Sequence, residues 1–228
     1  MRNGKQTSSR VRLIELTGPA GVGKSTLAIS LLQRLEAAPG TIWGQPALSL
    51  VGNGLGLLPT IAGFCLHART PLWNEARHMV RLRTLHRALA DSERRAGLLI
   101  FDEGPVFALA WLRGFGNEAF RGEASAEWWR TVLLEWAAVM DAVVVLDAPD
   151  YLLAQRIRTR PDGHEVKAFL DPEISLWMAR FRGALEWVLA EMTRLGGPAV
   201  LRVSTAEEPA ERLVEQLLEE LNGSVSAY

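Results

Sequence analysis

Two rhythms of apolar residues take turns along the chain. Short apolar runs at 10–16, 98–101, 142–146 and 199–203 are bounded by turn residues and predict buried strands. Between them the spacing changes to three and four. Met79, Leu82, Leu85 and Leu89 predict a helix over 74–95. Trp129, Val132, Trp136 and Val139 predict another, with Ser125 as its cap. Ile174, Trp177, Phe181, Leu185, Val188 and Met192 form the core face of a long helix, opened by a capping Asp171, Pro172 at its first position and Glu173. Shorter helices are expected over 27–35, 59–67, 106–115 and 150–159, and an amphipathic one over 206–221. Ala38-Pro39-Gly40 ends the first helix, and Gly196-Gly197-Pro198 ends the long one. Residues 41–51 read as a short, poorly defined strand. Gly52-Asn53-Gly54-Leu55-Gly56 reads as a turn, since no lysine follows it as one would in a phosphate loop.

Strands that alternate with helices imply right-handed βαβ units and a parallel sheet covered on both faces. The expected architecture is therefore α/β: about five parallel strands in a three-layer α/β/α domain over 10–222, with polar tails at 1–9 and 223–228. Ligands of such sheets bind beyond the carboxyl ends of the strands. The segments after the runs at 10–16, 98–101 and 142–146, the last of them beginning at Asp147, should meet on one rim.

The first of those segments is Gly18-Pro19-Ala20-Gly21-Val22-Gly23-Lys24-Ser25-Thr26, which has the P-loop spacing G-x-x-x-x-G-K-[ST]. Glycines let successive backbone N–H groups turn inward around a polyphosphate. Lys24 is placed to reach the β- and γ-phosphates, and the Ser25 hydroxyl to hold Mg²⁺. The following helix points its positive end at the phosphates. ATP and Mg²⁺ are the cofactors this implies; no Asn-Lys-x-Asp guanine motif is present.

The second segment is Asp102-Glu103 after an apolar strand, a Walker-B-like arrangement. A carboxylate at a strand tip can hold Mg²⁺ directly or through water. Its neighbour can act as base on a water or an acceptor hydroxyl. Sequence leaves open which residue does which; Asp102 is the candidate metal ligand beside Ser25.

Composition narrows the partners. A net charge of -1 argues against bulk attraction to nucleic acid or an acidic membrane. Cys65 is the only cysteine, so no intrachain disulfide forms. The polar start carries no signal peptide and no long apolar run is evident, so a cytoplasmic setting is the default. The eight tryptophans suit a core or an interface, which is compatible with a homodimer.

Leu146-Asp147-Ala148-Pro149, then Leu152-Leu153, then Arg156, Arg158 and Arg160 resembles the fourth strand and lid entry of thymidylate kinases, and of nucleoside monophosphate kinases more broadly. The order of P-loop, strand-end acid, Leu-Asp-x-Pro, arginine-rich segment and last strand is shared over about 11–221. The resemblance implies phosphoryl transfer from ATP to a small-molecule acceptor, with Lys24, Asp102, Glu103, Arg156 and Arg160 in the catalytic set. It implies a lid over about 156–170, which His164 and Lys167 extend, whose arginines close on the transferring group. It also sets the adenine near 204–207, where Ser204 or Thr205 could instead be simple helix caps.

The chain departs from that family in carrying Asp102-Glu103 where Asp-Arg is usual, and in an acceptor region, 40–95 and 106–123, that matches no pattern. The thymidylate substrate is therefore not carried over. Arg69, Arg77, Arg81 and Arg113 are candidates for an anionic acceptor. Two other functions compete with the kinase: an ATP-hydrolysing switch, in which Glu103 would activate water, and a nucleotide-binding module without turnover.

Overall fold

Five parallel strands, β1 (Val11–Thr17), β2 (Ala38–Gly40), β3 (Gly97–Asp102), β4 (Ala142–Asp147) and β5 (Ala199–Ser204), form one sheet in the order β2-β3-β1-β4-β5. The computed structural model describes residues 11–91, 97–160, 168–206 and 210–225. Eight α-helices connect and follow the described strands: α1 (Lys24–Arg34), α2 (Ala47–Ala68), α3 (Trp73–Asp91), α4 (Pro105–Phe115), α5 (Ala126–Val139), α6 (Asp150–Thr159), α7 (Asp171–Arg194) and α8 (Ala210–Val225).

Successive strand residues point to opposite faces. Leu13, Phe101, Val143 and Val145 pack beneath α3, α4, α5 and α7, together with Leu82, Leu109, Trp136 and Phe181. Ile14, Leu16, Ile100, Val144 and Leu146 face α1, α6 and α8, against Leu27, Leu31, Ile157 and Leu217. This is the expected three-layer sandwich. The register sets Leu16 beside Asp102 and Thr17 beside Val145, so the strand tips of β1, β3 and β4 share a rim.

Several local expectations are overturned. Residues 41–51 are not a strand: the edge strand is Ala38–Gly40, and α2 begins at Ala47. Pro39 is tolerated there because an edge strand need not donate on both sides. Gly52-Asn53-Gly54-Leu55-Gly56 is not a turn but the middle of α2. Glycine costs about 0.5–1 kcal/mol per site in a helix, and packing offsets it here. Asn53 donates to the Ser49 carbonyl at 2.9 Å and accepts from Arg87 of α3 at 2.5 Å. Leu57 and Phe64 are buried on the same stripe. The outer side of α2 exposes Leu48, Val51, Leu55, Leu58 and Leu66. Among the described residues α2 alone has the length and apolar composition of a membrane span, a feature hidden when the glycines are taken as a break.

Smaller corrections concern caps. Ser125 precedes α5, but its hydroxyl donates to the Gly122 carbonyl and makes no cap bond. The cap position of α7 is Leu170, so Asp171 and Pro172 lie inside the helix, and the Glu173 carboxylate accepts from the Leu170 N–H at 2.8 Å. α8 runs past Asn222 and Gly223 to Val225. The tail at 1–9, and His164 and Lys167 in the centre of the expected lid, lie outside the described residues.

Candidate active site

The loop between β1 and α1 turns on glycines in the left-handed half of backbone space. Gly18 has φ 145°, Gly21 82° and Gly23 96°. At Gly18 a Cβ would stand 2.1 Å from the Leu146 carbonyl oxygen, so the loop crosses β4 where no side chain fits. Gly23 occupies the cap position of α1, and Ser25 and Thr26 are exposed in its first turn. Lys24 is folded into the loop: its Nζ donates to the carbonyls of Gly18 at 3.0 Å and Pro19 at 3.1 Å. Burial pushes the Lys24 pKa down, the nearby carboxylates of Glu103 and Asp102 pull it up, and the charge of Arg160 pushes it down again. The loop lysine, the strand-end acids and one distal arginine therefore share one electrostatic neighbourhood.

Asp102 ends β3 with its Oδ1 buried and without a hydrogen-bond partner among the described residues. Such an oxygen is costly unless something binds it. A hydroxyl on Ser25 and a carboxylate on Asp102 are hard oxygen ligands of the kind Mg²⁺ takes alongside phosphate and water. The residues present fit that ion. Glu103, next along, is held at φ 60°. A non-glycine residue in that region is uncommon and concentrates at functional sites.

Glu15 was not singled out from sequence. It points from β1 into the layer beneath α4 and is fully buried. Its Oε2 accepts from the Val106 N–H at 2.8 Å and its Oε1 from the Phe107 N–H at 2.7 Å. A strand carboxylate thus caps the first turn of α4, whose own cap residue, Gly104, has no side chain to do so. Burial raises its pKa to about 8 against the lowering by the amides. The available signal was one acid at a core-facing position of an apolar strand.

The loop opens into a cavity of about 370 Å³. One end is Ala20, Gly21, Gly23, Lys24 and Ser25, with Glu103, Phe107 and Arg160 beside them. The other is Trp43, Asn74, Arg77, His78, Arg81 and Trp111, with Trp177 also on the wall. Four cationic side chains and one carboxylate line it. Arg81 lies over the Trp43 ring at 4.2 Å, and His78 stacks on Trp111 at 4.5 Å. The aromatic members were not marked as site residues from sequence. They come from the loop before α2 and from α3, α4 and α7, and no local spacing unites them.

The expected arginines part company. Arg160 lines the cavity. Arg156, expected to act beside it, is not on that wall. It donates to Thr205 Oγ1 at 3.0 Å and to the Thr205 carbonyl at 2.8 Å, tying α6 to the end of β5. Arg158 pairs with Asp171. Of the four acceptor candidates, Arg77 and Arg81 reach the cavity. Arg69 is the exposed C-cap of α2, and Arg113 packs over Trp187 at 4.2 Å. Asp147, on the same rim, is held by Arg182 through two hydrogen bonds of 2.9 Å.

Solved structures share this architecture. The thymidylate kinase of Candida albicans superposes with a TM-score of 0.57 at 16% identity, over 94% of this chain and 93% of that one. A deoxyadenosine kinase from M. mycoides with bound dATP gives 0.58 at 14% identity, over 92% and 99%. The shikimate kinase of Bacteroides thetaiotaomicron gives 0.51 at 14%, over 92% and 98%. The fold is that of the P-loop kinases. No family model matches the chain, and no curated protein matches it. The likeness shown is therefore one of fold.

Proposed function

We propose that the protein is an ATP-dependent phosphotransferase that moves the γ-phosphoryl of ATP·Mg²⁺ to a small molecule, with nucleosides and nucleotides as the first candidates. The observation that carries this reading is one continuous cavity, with the P-loop at one end and Trp43, Arg77, Arg81 and Trp111 at the other. A hydrolase needs room for water only; a wall of aromatic and cationic side chains is what a second substrate needs.

Backbone amides from Gly18 to Thr26 cradle the polyphosphate, which draws Lys24 off its own loop carbonyls. Ser25 and Asp102 would hold Mg²⁺, which would neutralise phosphate charge. Glu103 accepts the proton of the attacking group. Lys24 and Arg160 stabilise the charge that develops on the transferring phosphoryl. Arg156 is retained as a residue of the nucleotide side through its hold on Thr205. Use of ATP and a single thiol suit a cytoplasmic setting.

Mass analysis of products after incubation with ATP·Mg²⁺ and a panel of nucleotides, nucleosides, sugars and antibiotics tests the proposal. Lys24→Ala is expected to abolish transfer. Failure of ATP·Mg²⁺ to bind would end the reading. Sustained ATPase activity with no phosphorylated acceptor would favour the switch instead.

A further inference from the structure

Among the described residues, nothing balances the charge at the far end of the cavity. Arg77 and Arg81 stand one turn apart on α3 and both line it. Among the described residues, no ion pair to a carboxylate joins either one. The Arg81 guanidinium rests on Trp43, and its buried Nη1 has no hydrogen-bond partner among the described residues. Burial first, and the like charge of Arg77 second, push the Arg81 pKa down. An unpaired buried guanidinium donor beside a second cation is costly until an anion arrives.

His78 supplies the opposite polarity. Its Nδ1 lies 2.8 Å from the Asn74 carbonyl oxygen, which can only accept, so Nδ1 carries the proton. Burial lowers the His78 pKa, which keeps the ring neutral and makes Nε2 an acceptor. The ring lies flat on Trp111, 11° from parallel. At the P-loop end Glu103 is the one carboxylate among the described lining residues. A carboxylate there can take the proton of a neutral hydroxyl, a service that an ionised phosphate acceptor does not need.

We propose that the acceptor is an anionic alcohol with a planar ring. Its fixed anion, a carboxylate or a phosphate monoester, sits on Arg77 and Arg81. Its ring lies against Trp43 and Trp111 and donates a hydrogen bond to His78 Nε2. Its hydroxyl faces Glu103. That oxygen attacks the γ-phosphorus of the nucleoside triphosphate and forms the new P–O bond. The bond from the γ-phosphorus to the β,γ-bridging oxygen breaks, and the nucleoside diphosphate leaves with the electron pair. The hydroxyl proton passes to Glu103. The anion on the arginines is not the group that is phosphorylated.

This inference rests on the phosphotransferase reading, and binding separates the two. Quenching of tryptophan fluorescence is followed with two matched pairs: thymidine 5′-monophosphate against thymidine, and 4-hydroxybenzoate against 4-hydroxybenzyl alcohol. At least one anion is expected to bind tenfold or more tightly than its neutral partner, and the pair that responds tells phosphate from carboxylate. Arg81→Gln and Arg77→Gln should each erase that preference and leave ATP binding intact; Arg81→Lys should restore part of it. Equal binding of anion and neutral partner, no quenching by either anion, or a preference that survives both glutamine variants would overturn the proposal. Anion binding that persists while ATP·Mg²⁺ fails to bind would refute the phosphotransferase reading and leave the anion site standing. Mass analysis of the product decides the acceptor atom: an ester on the hydroxyl is expected, and phosphorylation of the anion itself would overturn the alcohol assignment.

Discussion

Glu15 should make stability fall as pH rises, and Glu15→Gln should remove the fall. The carboxyl group titrates near 4.5 in the unfolded chain and near about 8 in the folded one. Its folded pKa is raised, so the folded state binds the proton more tightly. The stabilising contribution is complete below about 4.5, where both states are protonated, and is lost as pH climbs through about 8. Each pH unit in that window removes about 1.4 kcal/mol, or about 5 kcal/mol in all. That is a large part of the stability of an ordinary domain, about 5–15 kcal/mol. Glutamine keeps the shape but has one acceptor oxygen for the two amides of Val106 and Phe107, so near pH 5 the variant should be weaker by about 1–3 kcal/mol. Near pH 8 the deficit should vanish or reverse. Urea unfolding of both proteins, followed by tryptophan fluorescence in EDTA at steps between these pH values, gives the difference at each step and cancels the titrating groups that do not interact with Glu15. A difference that stays constant to within about 1 kcal/mol across the range would refute the reasoning.

Three further outcomes are expected. Gly104→Ala places a Cβ 2.6 Å from Glu15 Oε2 and 2.7 Å from the Phe101 Cβ, so it should cost about 1–3 kcal/mol in thermal unfolding; an unchanged Tm would show that the turn has slack. Arg160→Ala should lower kcat more than it weakens ATP binding, because its charge counts mainly in the transition state; equal losses in both would place Arg160 in ground-state binding. Arg156→Ala removes two hydrogen bonds to Thr205 and should loosen nucleotide binding with a smaller loss of kcat than Arg160→Ala; the reverse ranking in steady-state kinetics would return Arg156 to the reacting centre.

The framework could be read from sequence because its determinants are local. Val143 and Val145 face one layer and Val144 the other, and four strand signals with intervening helical periods imply the parallel sheet. The P-loop is nine consecutive residues whose backbone does the work, so spacing alone reveals it. Reading failed where tertiary contacts outweigh local preference. The glycines of α2 signal a break, and contacts such as the bond from Arg87 to Asn53, far apart in sequence, show why the helix continues. Glu15 is silent for the same reason: its partners are amides on α4, and nothing near it in the chain announces them.

The same contrast bears on how the site divides its labour. The phosphate end is built from one loop and two strand tips, and its geometry is fixed by the sheet. The wall that the proposal gives to the acceptor is assembled from side chains on α3, α4 and α7 and on the loop before α2. Glu15 links the halves. It spans from β1, whose end begins the P-loop, to the first turn of α4, which carries Phe107 and Trp111 to the cavity wall. Glu103 and Gly104 lie between the strand tip and that turn. A shift in how α4 docks would therefore move Glu103, the proposed base, and Trp111 together relative to Lys24. In the phosphotransferase reading, the buried Glu15 side chain at this junction would keep the two substrates in register, which transfer between them requires and hydrolysis by free water does not.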